Sequence, residues 1–222
     1  MKRLERLDAA ITPDGTTLTL FRHDGAYSIR VDGVELMSTR RHHSEEKLAE
    51  LACLPLRDKP AAQVLIGGLG FGFTLRAALR VLAADARVVV AELVAGVIEW
   101  NRNPAYELAA TALSDPRVDL QQDDVAYVLK RNKGRFDAIL LDVDNGADAL
   151  TNAGNALLYR HVGIQLAAAA LRPNGQLAYW SAKGDAQFEE TLRDAGLNVE
   201  VKTVRAHATS GTWHTLYFAC AA

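Results

Sequence analysis

Two cysteines in 222 residues are too few for a disulfide framework. Cys53 and Cys220 stand in no paired spacing, so the chain reads as a reduced, cytoplasmic protein. Long hydrophobic runs are missing as well. The longest, "GIQLAAAAL" from Gly163 to Leu171, is interrupted by Gln165 and falls far short of the ~20 residues a membrane helix needs. The opening "MKRLERLDAA" carries Glu5 and Asp8 and no apolar core, which argues against a secretory signal. Charge of one sign is absent too: 25 Lys and Arg against 27 Asp and Glu leave a net charge of -2. That gives no electrostatic reason to expect a nucleic acid or an anionic membrane as partner. Neither His207 nor His214 has metal-ligand spacing with the cysteines, and no metal is expected. What remains is 49% hydrophobic and 23% charged, ordinary for a soluble globular chain with one domain and a small appendage.

The pattern changes along the chain. "GTTLTLFRHDGAYSIRVDGVELMSTR" alternates apolar and polar residues and is cut by Asp24-Gly25 and Asp32-Gly33. Asp-Gly between alternating runs predicts hairpins, and residues 1–43 are read as a small N-terminal antiparallel β unit. "SEEKLAELACL" predicts a helix with Ser44 as N-cap and Leu48, Leu51 and Cys53 facing inward. From 44 to 222 the chain reads as one Rossmann-like domain. "AQVLIGG", "ARVVVAEL", "RVDLQQ", "FDAILLDV" and "GQLAYWSA" alternate with helical segments near 74–84, 94–102, 124–132, 156–170 and 185–195. Continuous Val, Ile and Leu strands in that rhythm predict a doubly wound parallel sheet. "LNVEVKTVRAH" and "GTWHTLYFACA" leave no room for a crossover helix and should close it with an antiparallel hairpin, giving seven strands. That is the α/β pattern of class I methyltransferase-type folds.

Between the first core strand and its helix lies Gly68-Leu-Gly70-Phe-Gly72. Glycine permits a tight turn and lets a ligand lie against bare backbone. A dinucleotide fingerprint would place its last glycine at Phe73, so a nucleoside of the S-adenosylmethionine type fits better than NAD; a tight structural turn is the plainer alternative. Acids follow at successive strand ends. Glu92 stands where a carboxylate accepts from two ribose hydroxyls. Asp123 and Asp124 precede a helix, where Asp124 is either a contact to the adenine amino group or an N-cap. Asp142 and Asp144 leave an apolar strand for a loop and must be solvated or paired.

The series "VLIGGLGFGFTLRAAL", "VVVAEL", "DPRVDLQQDDVAYVL", "FDAILLDVDN" and "LRPNGQL" resembles the spermidine synthases, aminopropyltransferases that share the methyltransferase fold; the likeness runs from about Gly33 to Ala182. It implies that Glu92 holds the ribose, Asp124 the adenine, and Asp142 the reacting amine and sulfonium. It also implies a homodimer. Three departures stand out. Phe71 occupies the place of the glycine-loop acid that holds the donor's amine, the helix before the core lacks its aromatic, and Asn145 stands where the second active-site acid belongs, leaving Asp144.

Sulfonium alkyl transfer is an in-line displacement in which proximity and orientation supply ~7–11 kcal/mol. Asp142 is the expected base and Asp144 the acid orienting a cationic acceptor. The expectation is a transferase that binds S-adenosylmethionine or its decarboxylated form and moves an alkyl group to a small, amine-bearing acceptor. Phe71 favours methyl transfer slightly. A true aminopropyltransferase using rearranged acids, among them Glu45, Glu46 and Asp144, is the alternative, and a non-catalytic nucleoside-binding dimer the third. His42 and His43 read as a solvated turn or as contacts to the acceptor or a carboxylate. Trp180 reads as packing rather than a cofactor box, Trp100 and Trp213 as core or interface, and Tyr159 equally as a core contact or a residue closing over the ligand.

Overall fold

Two left-handed turns shape the N-terminal third in this computed structural model, which describes residues 4–142 and 153–221. Asp24 and Gly25 have φ of 51° and 76°, and Asp32 and Gly33 of 48° and 81°. Positive φ at both central positions matches the twist of paired strands. Strands β1 (Glu5–Ile11), β2 (Thr17–His23), β3 (Ala26–Val31) and β4 (Val34–Ser38) form an antiparallel sheet in that order. β1 was not anticipated. Its pairing with β2 slips between Arg6 and Asp8, and the bulge breaks the alternation by which a strand is recognised.

Helix α1 (His43–Cys53) follows, with Leu48 and Cys53 fully buried. Ser44 is not its N-cap: the cap position is His42, without a side-chain bond, and Ser44 is buried in the first turn. The core sheet holds β5 (Gln63–Gly67), β6 (Arg87–Glu92), β7 (Val118–Gln122), β8 (Phe136–Leu141), β9 (Leu171–Ser181), β10 (Leu197–Arg205) and β11 (Trp213–Ala221). Their order is β10-β11-β9-β8-β5-β6-β7. The first five are parallel, and β11 runs antiparallel to both β9 and β10. Helices α2 (Phe73–Val81), α3 (Ala95–Arg102), α4 (Ala110–Leu113), α5 (Val125–Arg131), α6 (Ala153–Leu158), α7 (His161–Ala170) and α8 (Ala186–Asp194) connect them. The helix expected over 156–170 is two. α7 turns so close to the end of α6 that a Cβ at Gly163 would stand 2.1 Å from the Leu157 carbonyl oxygen.

Alternate residues of each core strand serve opposite faces. Val64 and Ile66 of β5 pack with α1, α2 and the small sheet, whose Leu18, Leu20 and Ile29 belong to the same hydrophobic cluster. Leu65 packs with Val128, Ile164 and Phe188 on the other face. The small sheet therefore shares a core with the large one. Order in the large sheet reverses between β5 and β8, and the carboxyl ends of these strands open on one cleft, the usual ligand position in such sheets. Among the described residues no helix is long and apolar enough to cross a membrane.

Candidate active site

The cleft is a cavity of about 140 Å³ closed on one side by the small sheet, through Leu18, Ile29 and Met37, and on the other by the glycine loop and the core strand ends. Three of the loop's glycines have positive φ: 89° at Gly68, 51° at Gly70 and 72° at Gly72. Gly68 N–H donates to the Ala91 carbonyl at 2.8 Å, and Asn101 Nδ2 donates to the Gly70 carbonyl at 2.7 Å. Gly68 and Gly70 line the cavity. Gly72 is not among the lining residues; its Cα faces α4, where a Cβ would come within 2.5 Å of Ala109.

Five lining residues are carboxylic acids: Glu45, Glu92, Asp123, Asp124 and Asp142. No Lys, Arg or His lies among the described residues of the wall. Glu92 is 8% exposed. Its Oε2 accepts from Leu69 N–H at 2.9 Å and its Oε1 from Val94 N–H at 2.8 Å. Burial pushes this carboxyl up, against the pull of the backbone amides. Asp123 accepts from Arg131 at 2.5 Å, and this pairing lowers its pKa. Asp124 is the N-cap of α5, its Oδ1 accepting from Ala126 N–H at 2.8 Å, and it also lines the cavity. The two readings of Asp124 are thus compatible in one residue.

Asp142 emerges from β8 and accepts from the Thr74 hydroxyl, in the first turn of α2, at 2.7 Å. Burial raises its pKa, and the Thr74 bond only partly offsets that. Glu45 enters the same cavity from the first turn of α1. Its pKa is raised by burial first and by the charge of Asp142 second. One Glu45 oxygen accepts from the Ser44 hydroxyl at 2.5 Å. Asp144, expected beside Asp142, lies outside the described residues. Glu46 faces away, toward Arg80 and His42. His42 stacks on Phe73 at 4.0 Å and reaches Glu46 at 3.3 Å, so its contact is a carboxylate outside the cavity. Tyr159 and Trp100 are core residues; Trp180 lines the cavity, and Trp213 is exposed beneath Arg205. Among the described residues no group of three or more His, Cys, Asp or Glu is placed to hold a metal ion.

Glu45, expected only among the rearranged acids of the alternative reading, lines the cavity. The signal was present in two consecutive acids at a helix start, but which one turns inward depends on where the helix begins. Phe71, read as a missing acid, is buried in the cavity wall.

No protein-family model matches the chain. It is 32% identical to a polyamine aminopropyltransferase of Leptospira biflexa over 149 residues, 67% of this chain and 50% of that protein. It is 32% identical to polyamine aminopropyltransferase 2 of Pseudomonas aeruginosa over 121 residues, 54% of this chain and 33% of that one. The chain thus spans about half or less of these relatives' length. Spermidine synthase from Thermotoga maritima superposes with a TM-score of 0.74 at 20% identity, covering 98% of this chain and 74% of the other. Spermidine synthase in complex with the transition state analogue AdoDATO gives 0.79 at the same identity and coverage. The preference for methyl transfer drawn from Phe71 finds no support among these proteins. Its physical weakness is local: the acid absent at position 71 does not leave the cavity short of acids, because α1 brings Glu45 into it.

Proposed function

We propose, for a chain that is spermidine synthase-like in sequence and fold, that it moves an aminopropyl group from decarboxylated S-adenosylmethionine to a small amine. The observation that carries this reading is a cavity wall with five carboxylic acids and no basic side chain among its described residues. Both reactants would be cations, a sulfonium with an ammonium tail and an acceptor ammonium. Such a wall compensates positive charge, and cations in turn offset the cost of burying the acids. S-adenosylmethionine would bring a carboxylate, and the described residues of the wall include no basic side chain to meet it.

The nucleoside end is assigned to Glu92 and the loop at Gly68 and Gly70. Each Glu92 oxygen already takes one backbone N–H and keeps a lone pair for a ribose hydroxyl. Asp124 retains an oxygen beyond its cap bond for the adenine amino group. At the other end, Asp142 and Glu45 face the acceptor. An alkylammonium must lose a proton before its nitrogen can attack. The raised affinity of these carboxyl groups for protons brings a base closer to the strength the task requires. The freed amine attacks the carbon next to sulfur, the C–S bond breaks, and its electron pair stays with sulfur, leaving methylthioadenosine. Orientation of the two reactants supplies most of the acceleration.

Incubation with a diamine and either donor form tests this. Methylthioadenosine should appear only with decarboxylated S-adenosylmethionine and only when the amine is present. Turnover of S-adenosylmethionine to a methylated product would overturn the reading. Binding of neither donor in calorimetry would favour a non-catalytic scaffold.

A further inference from the structure

Ser44 joins the cavity acids to an imidazole outside the wall. Its buried hydroxyl lies 2.5 Å from Glu45 Oε2 and 2.8 Å from His214 Nδ1, and it accepts from Trp180 Nε1 at 3.0 Å. His214 Nε2 lies 3.2 Å from the hydroxyl of exposed Thr212. A hydroxyl has one hydrogen and two lone pairs. With Trp180 filling one lone pair, the remaining pair and the hydrogen are divided between Glu45 and His214. The group can therefore face either way: donating to Glu45 while accepting from Nδ1–H, or donating to Nδ1 while accepting from a protonated Glu45.

We propose that Ser44 and His214 form the route by which the acceptor's proton leaves the half-buried Glu45–Asp142 pair for solvent. This role rests on the amine-transfer reading of the cavity. The acceptor ammonium gives one proton to the carboxyl pair. Glu45 passes a proton to the Ser44 oxygen as the Ser44 hydrogen moves to Nδ1, and the transient imidazolium releases the Nε2 proton to water beside Thr212. One proton enters and one leaves, and the carboxylate is restored. Water then exchanges the imidazole tautomer and the hydroxyl turns back. Besides Ser44 and Thr212, His214 meets the Trp180 ring in a T-shaped contact, 4.8 Å between ring centroids, and the charge of Arg41. Burial and then Arg41 lower its pKa, which favours rapid release rather than storage of the proton.

His214→Gln keeps a hydrogen-bonding side chain and removes the titrating one. Turnover should fall roughly a hundredfold, the low end of acid–base contributions, with KM for both substrates unchanged, and added imidazole should restore it. Wild-type turnover in this variant, or a loss in a folded protein that imidazole does not repair, would overturn the route. NMR titration of His214 in the ligand-free protein supplies a readout independent of activity. Its midpoint should move in Glu45→Gln and again in Ser44→Ala, and an unmoved midpoint in both overturns the coupling. If no donor is ever turned over but the midpoint moves, the connection stands and the transferase reading fails instead.

Discussion

Glu92 and the Glu45–Asp142 pair are acids in one cavity, and the protein treats them in opposite ways. Glu92 is clasped on both oxygens by backbone N–H groups that cannot rotate away. Glu45 and Asp142 are each met by a side-chain hydroxyl, Ser44 and Thr74, and stand in each other's field. Rigid amides fix a carboxylate as a template for hydroxyl groups. Hydroxyls, which reorient, leave a carboxyl able to gain and lose protons. The difference separates holding a ligand from acting on it, and each end can be damaged separately.

The largest effect should come from Asp142→Asn, which keeps the shape and removes the charge and the base. Turnover should fall ~10²–10⁴-fold while methylthioadenosine binds nearly as before. A destabilised variant with full activity per folded molecule would erase the contrast between the two ends. Gly70→Val strikes the holding end. Its φ of 51° is unfavourable for a β-branched residue, and a Cβ there meets Met37 Sδ at 3.1 Å. Nucleoside affinity should be lost by about tenfold or more; normal calorimetric binding by a folded variant would move the ligand off the loop. Glu92→Ala should weaken the nucleoside by ~1–3 kcal/mol and also lower the melting temperature, since Leu69 and Val94 N–H lose their acceptor. Unchanged affinity in a folded protein would dismiss the ribose assignment.

The smallest effect concerns stability alone. Glu45 holds its proton more tightly folded than unfolded. Below about pH 4 both states are protonated and the difference has no effect. As pH rises from there through the raised native value, the unfolded state releases its proton first and stability falls. Glu45→Gln should remove that loss, on the order of 1 kcal/mol near neutrality, and flatten melting temperature against pH. A wild-type slope in Glu45→Gln would mean that the pair is not strained by burial.

The core sheet was legible because each parallel strand is a short Val, Ile and Leu run with a helical segment after it. The hairpins declared themselves through Asp24-Gly25 and Asp32-Gly33. What escaped depended on tertiary context. β1 is disguised by its bulge, and the break between α6 and α7 is set by a close approach at Gly163. In the site, acids at or just past the carboxyl ends of strands could be read from topology, since ligands bind outside those ends in such sheets. Glu45 and Ser44 lie on a helix whose start and rotation follow from docking on β9 and β11, which Trp180 and His214 represent. No local pattern encodes the pairing of residues 44 and 214.

The small sheet, which supplies Leu18, Ile29 and Met37 to the cavity wall, acquires a meaning beyond support. It closes the wall by packing, and lifting it would admit water to Glu45 and Asp142. Once wetted, their proton affinity relaxes toward that of ordinary carboxylates. Such an opening would release protons and would be easier in alkaline than in acid solution. A cationic occupant, by stabilising the charged acids in the closed form, works in the opposite direction. Any movement of the small sheet away from the wall would thus be linked to the ionisation of the acids it covers.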